Sequence, residues 1–325
     1  MKKLFISALA LFAAFSISAQ DLSVVYNQAV TAFNGRDYAT AAQGFETLID
    51  QGMDSEDVDV QGWVSTAKSN LPRCYFMMGG MAAQQKDLDK ALTNFIKSAE
   101  LAELYGNFQQ SVQSKGWVAN IYRVKGGEAF NNKDYATAAE VFSKGYEYDP
   151  LNTEMALNLA MSYSELALAN KDLELYRKGM EVYENIAALD NPKFAEDVAK
   201  AKEMIGIYTN NMVAVMQQAG NNDAVIAMAD EMLAANPSNA LAQKIRLQAL
   251  FSKKDYAGVI ASAEAAASAQ QNEEDRSDMY FILGAAYNAQ AKAPQAIEAL
   301  GKVTAGSNVA AAKDTIAKLT ANNKQ

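Results

Sequence analysis

The sequence predicts an all-α chain of stacked helical hairpins, and three observations carry that prediction. An eleven-residue phrase is written twice, AFNGRDYATAA at 32–42 and AFNNKDYATAA at 129–139. Apolar residues recur with the helical period on both sides of each copy, and no stretch alternates with period two over the length of a strand. All five prolines fall where a repeat register wants a helix joint: Pro72 opening a first helix, Pro150, Pro192 and Pro237 following second helices, and Pro294 in a first turn.

The chain opens with Lys2 and Lys3, an apolar run from Leu4 to Phe15, and Ser16-Ile17-Ser18-Ala19-Gln20. This pattern predicts a secretory signal peptide over 1–19, cleaved after Ala19, and the run is too short for a membrane span of about 20 residues. The expected address is the periplasm of a Gram-negative envelope. Cys74, the only cysteine, lies far from the cleavage site, so no lipid anchor and no internal disulfide are expected.

In the first hairpin, Val25, Ala29, Ala32 and Phe33 form one stripe. Tyr38, Ala41, Ala42, Phe45, Leu48 and Ile49 form the next, with Asp37 placed to cap it. Tyr75, Met78 and Gly79, then Asp87-Leu88, Ala91 and Phe95, repeat the scheme. The fullest copy runs from Gly126 through Asp134, Tyr135, Ala138, Ala139, Phe142, Gly145 and Tyr146 to Pro150. Weaker copies centre on 176–183, 224–237 and 256–266. The last pairs Tyr280, Leu283, Gly284 and Tyr287 with Ala296, Ile297 and Leu300. Gln270-Gln271-Asn272 and Glu273-Glu274-Asp275 read as a solvated turn. The stretch 309–325 reads as an amphipathic capping helix and a frayed tail. One hairpin cannot bury both its stripes, so the repeats stack, and 20–308 is expected to form one array, bent or hinged at an insertion.

These residues resemble the tetratricopeptide repeat: a small residue and an aromatic on the first helix, an Asp-Tyr turn, then Ala, Phe and a closing Pro. The resemblance covers nearly the whole chain after the signal. It implies a right-handed α-solenoid of about seven irregular repeats whose first helices line a concave face. The family's spacing is about 34 residues. Asn222 to Tyr256 spans 34, whereas Tyr38 to Leu88 spans 50, Leu88 to Tyr135 spans 47 and Tyr176 to Asn222 spans 46. The surplus falls in 54–70, 107–118 and 193–204, as lengthened first helices or inserted ones. The carboxylate-clamp pattern of part of the family is not reproduced, since Arg123 is followed by Gly127 and Met161.

Removing the signal takes two lysines and no acid, so the formal charge of −9 becomes −11. Such an acidic chain without a basic block is a poor match for nucleic acid or an anionic membrane. There is no histidine, which excludes Ser-His-Asp, Cys-His and HExxH chemistry. Gly79-Gly80 and Gly126-Gly127 sit in helical patterns and read as close-packing positions rather than phosphate loops. Asp57-Val58-Asp59-Val60-Gln61-Gly62 has the front half of a calcium loop, but Lys68 stands where the closing glutamate belongs, so it reads as an acidic helix start. Cys74 reads as a small buried residue. Met77, Met78, Met81, Met212 and Met216 read as core fillers. No cofactor or metal is expected.

The resemblance implies that a protein or peptide partner binds the concave groove. Projecting the register inward selects Arg73, Phe76, Asn120, Arg123, Phe130, Lys244, Gln248, Phe251 and Phe281, which bring basic and aromatic groups together in an acidic chain. The leading functional expectation is a non-enzymatic interaction scaffold of the envelope. A carbohydrate- or peptidoglycan-binding module is the alternative, and it would need Trp63 and Trp117 exposed along one cleft. An envelope hydrolase with paired carboxylates stands third.

Overall fold

The computed structural model describes residues 19–322; the expected signal peptide lies almost wholly outside them. Among the described residues there are fifteen α-helices, one 3-10 turn and no strand. The pairs are α1 (Ala19–Asn34) with α2 (Tyr38–Gly52), α3 (Val58–Gln84) with α4 (Leu88–Leu104), and α5 (Phe108–Asn131) with α6 (Tyr135–Tyr148). Then come α7 (Thr153–Asn170) with α8 (Leu173–Ala187), α9 (Ala195–Gln218) with α10 (Asn222–Ala235), and α11 (Ala240–Ser252) with α12 (Tyr256–Ala269). Finally α13 (Glu273–Ala289) pairs with α14 (Ala293–Gly301), on which α15 (Val309–Asn322) packs. Two compact units result, one ending at Leu159 and the other beginning at Ala160, inside α7. In the first unit α1 touches α3 and α3 touches α5; in the second α9 touches α11 and α11 touches α13.

The hairpin turns share one chemistry. Each has a single left-handed residue: Arg36 (φ 64°), Lys86 (61°), Lys133 (60°), Lys171 (57°), Gly220 (73°), Lys254 (62°) or Ala291 (58°). The following N–H returns to the preceding helix, as in Asp37 to Ala32 O (2.9 Å) and Asp134 to Ala129 O (2.9 Å). A left-handed non-glycine residue costs about 1–2 kcal/mol. Five of the seven are lysine or arginine, whose charge faces the negative end of the helix just finished and offsets part of that cost.

In six of the seven hairpins the next residue caps the second helix; before α14 it is Lys292, which makes no side-chain cap. Asp37 accepts from Thr40 N (3.2 Å) and Asp134 from Thr137 N (3.1 Å); Asp87, Asp172, Asn221 and Asp255 do likewise. Hydrogen bonds from Thr40 and Thr137 hold the Asp37 and Asp134 carboxyls below the ordinary value. A depressed folded pKa gives a stabilisation present above the unfolded value of 3.8 and lost as pH falls through the folded one. Asp134→Asn, whose amide oxygen still caps, is therefore expected to flatten the loss of thermal stability below about pH 4. An unchanged slope in scanning calorimetry would contradict this.

In three hairpins a first-helix glycine lets the second helix press close. A Cβ on Gly79 would lie 2.9 Å from the Phe95 ring, one on Gly126 2.6 Å from Phe142, and one on Gly284 2.5 Å from Leu300. Phe45, Phe95 and Phe142 are fully buried. Gly80 and Gly127 differ from the packing expectation, since nothing lies within 4 Å of where their Cβ would be. They face the other side of their helices.

The surplus residues prove to be N-terminal lengthenings of first helices: α3, α5 and α9 run 27, 24 and 24 residues, with only the 3-10 turn Pro192–Phe194 set before α9. Pro72 consequently lies inside α3 rather than at its start. It denies the Lys68 carbonyl its helical donor, yet it is buried, and its own carbonyl accepts from Ser98 Oγ at 2.8 Å. Ser98 Oγ is also 2.8 Å from Ser114 Oγ, so a buried hydroxyl pair ties α4 to the α3 proline and to α5. Glu273, Glu274 and Asp275 form the first turn of α13 behind the cap Asn272, not a solvated turn, because acids suit the positive helix end. Met212 and Met216 are buried as expected, but Met77 and Met81 are exposed, being on the free face of α3.

Candidate functional site

The nine residues projected inward fall into two sets, one in each unit. In the first, Arg73 lies over the Phe33 ring at 5.5 Å. Phe76 packs edge-on to Phe95 (5.3 Å) between helices. Asn120 accepts from the Arg123 guanidinium at 3.1 Å, and Arg123 sits 3.7 Å from Glu154 at the start of α7. Phe130 meets Tyr135 at 5.5 Å and Phe142 at 6.5 Å. In the second unit, Lys244 forms an ion pair with Asp275, Phe251 packs against Tyr256 at 5.9 Å, Phe281 joins the cluster of Leu300 and Val303, and Gln248 is half-buried on α11. The phenylalanines thus serve mainly as inter-helix packing, and Lys244 already has its counter-charge.

What the geometry does bring together is a depression of about 660 Å³ between α5 and α7 in the first unit. Its walls include Arg123, Val124, Gly127, Phe130 and Asn131 of α5 with Glu154 and Asn158 of α7. Spacings of one, four, seven and eight residues from Arg123 put the α5 members on one face. Val124 is 44 % exposed although apolar, and Gly127 leaves the backbone bare between Arg123 and Asn131. Gly80 takes the same place on α3, next to the exposed Met77. Val124, Gly127, Asn131, Glu154 and Asn158 were absent from the inward projection; a glycine at one register position in successive first helices, Gly80 and Gly127, was the signal available for Gly127.

Other candidate chemistry has a structural role. Asp57 caps α3, its Oδ1 accepting from Asp59 N (2.8 Å) and Val60 N (3.2 Å). Among the described residues no group of three or more His, Cys, Asp or Glu could hold a metal ion. Cys74 is buried, which pushes its thiol up to about 12 and leaves it unreactive. Burial and a hydrogen bond to Glu46 (2.7 Å) likewise raise the Tyr75 hydroxyl. Trp63 stacks on Tyr26 at 5.6 Å, half-buried, while Trp117 stacks on Phe95 at 5.4 Å and is 45 % exposed. No helix among the described residues is long and apolar enough to cross a membrane.

Tandem hairpins, each turned by a left-handed residue and six of the seven capped by Asp or Asn, define a helical-repeat fold similar to that of the tetratricopeptide repeat. No protein-family model matches the chain. Similar solved structures include a tetratricopeptide repeat protein from Parabacteroides merdae, at 12 % identity over 93 % of this chain and 99 % of that one, with a TM-score of 0.30. Another is the TPR2AB domain of yeast Sti1 in a pHSP90 complex (14 % identity, 93 % and 100 % covered, TM-score 0.31). A third is the P58(IPK) TPR domain (12 %, 94 % and 99 %, TM-score 0.32). At such scores these likenesses assign neither partner nor activity.

Proposed function

We propose that the protein is a non-enzymatic interaction scaffold of the bacterial envelope, exported to the periplasm, that docks a protein or peptide segment in the depression between α5 and α7. The observation that carries this reading is Gly127. A glycine inside an exposed helix face costs about 1 kcal/mol relative to alanine, and here it supports no internal packing and no special backbone angle. Such a residue fits a surface that another backbone must approach closely. Around it, Asn131 offers an amide, Val124 an apolar contact, and Arg123 a guanidinium that it shares with Asn120 and Glu154.

The test is photo-crosslinking in cells from a reactive residue placed at Val124, with recovery from the periplasmic fraction. A discrete adduct is expected, and it should weaken at least about tenfold with Gly127→Leu or Arg123→Glu. An adduct indifferent to both substitutions would remove the depression as the docking surface. The carbohydrate reading has less support, because Trp63 and Trp117 are each stacked on a different aromatic and do not pair as one platform.

A further inference from the structure

The lengthening of α3 builds a second cleft, of about 600 Å³, lined by residues none of which belongs to the depression between α5 and α7. One wall carries Ser65, Lys68 and Ser69 of α3; the facing wall is the turn Tyr105, Gly106 and Asn107; Met53 and Val64 are also in the lining. None of the lining residues is acidic.

Repeat register explains what is unusual about it. Gly79 and Gly126 meet Phe95 and Phe142 in the same way, so Lys68 and Lys115, each eleven residues upstream, occupy equivalent places on α3 and α5. Asp37 and Asp87 cap α2 and α4, so Met53 and Glu103, each sixteen residues downstream, are equivalent too. Lys115 forms an ion pair with Glu103, and Glu103 also accepts from Ser111 Oγ at 3.3 Å. In the earlier repeat both partners are replaced by apolar residues: Met53 stands for Glu103 and Val64 for Ser111. Lys68 accordingly has no acid within 4.0 Å among the described residues, and the hydroxyls of Ser65 and Ser69 make no protein hydrogen bond there.

We propose that this cleft binds a carboxylate supplied from outside the chain. The ammonium of Lys68 takes it as Lys115 takes Glu103, the Ser65 and Ser69 hydroxyls donate to it, and Met53 and Val64 receive the apolar carbons that carry it. One cation matches one carboxylate, whereas a phosphate ester brings a charge of about −1.5 to −2 at pH 7. The carboxylate can belong to a free acid or to an acidic side chain of a polypeptide. This site does not rest on the docking role of α5 and α7.

The test follows the side-chain NMR signals of Lys68 and Lys115 during titration with three probes: N-acetylglutamate α-amide, the capped tripeptide Ac-Leu-Glu-Leu-amide, and inorganic phosphate. Saturable shifts are expected at Lys68 with the two carboxylates and not at Lys115, whose partner is built in. Met53→Glu should supply the missing acid internally and weaken probe binding at least about tenfold, as should Lys68→Met. Because Met53→Glu adds an ion pair on an exposed residue, it should leave the fold and the Val124 crosslink unchanged. Tighter binding of the tripeptide would support the site with a polypeptide as the source; equal binding would support it with a free acid. The proposal is overturned if Lys68 and Lys115 respond alike, if phosphate saturates Lys68 as tightly as the carboxylates, or if Met53→Glu binds undiminished.

Discussion

Phe142→Ala is expected to lower the stability of the first unit by about 3–5 kcal/mol. The ring is fully buried, lies against the bare backbone of Gly126, and meets Phe130 edge-on at 6.5 Å. The void left behind cannot close easily. The separation of α5 and α6 is pinned at the Lys133–Asp134 turn by a left-handed residue, a backbone return to Ala129 and a side-chain cap. Urea unfolding of the full chain, followed by aromatic circular dichroism, provides the measurement. Phe108→Ala is the matched control, because that ring is 75 % exposed and its loss should stay within about 0.5 kcal/mol. Equal effects from the two would mean that the glycine-on-ring contact does not hold the hairpin.

Substituting two adjacent glycines should give effects of opposite sign. Gly126→Ala places a methyl carbon 2.6 Å from two Phe142 ring carbons. Neither the buried ring nor the helix can yield cheaply, so about 1–3 kcal/mol should be lost to overpacking, more than the helix-propensity gain returns. Gly127→Ala meets nothing within 4 Å and should gain up to about 1 kcal/mol. The proposed docking role gives the second variant a distinctive signature: a more stable protein that captures its partner less well. Thermal melts paired with the Val124 crosslink read both quantities, and a Gly127→Ala variant that is both more stable and fully competent would sever the link between the bare backbone and docking.

Hairpins were legible in the sequence because Ala-Phe stripes with period 3.6 pack as helix pairs, and the Asp before five of the seven second helices marks its start. Another signal went unread: Arg36-Asp37, Lys86-Asp87, Lys133-Asp134, Lys171-Asp172 and Lys254-Asp255 spell out the turn itself, a basic left-handed residue followed by a cap. Pro72 was misplaced because its local cost argues for a helix end, whereas burial of the ring and the Ser98 hydroxyl hold it inside α3. The site was harder to read. Gly126 and Gly127 look interchangeable in a string of letters, and only the rotation of α5 about its axis tells the packed one from the open one. Phe76, Phe130 and Phe251 could serve as anchors or as packing, and the position of the neighbouring ring decides for packing.

A helix rises about 1.5 Å per residue, so α3, with 27 residues, outreaches the 17-residue α4 by some 15 Å. That overhang is architecture the basic two-helix module does not require. Evolution can therefore edit it independently: shortening α3 toward ordinary module length would erase the Lys68 recess while leaving the α5–α7 seat intact. Recesses of this sort could be gained or lost one module at a time, and lineages sharing one scaffold could differ in how many ligands it carries.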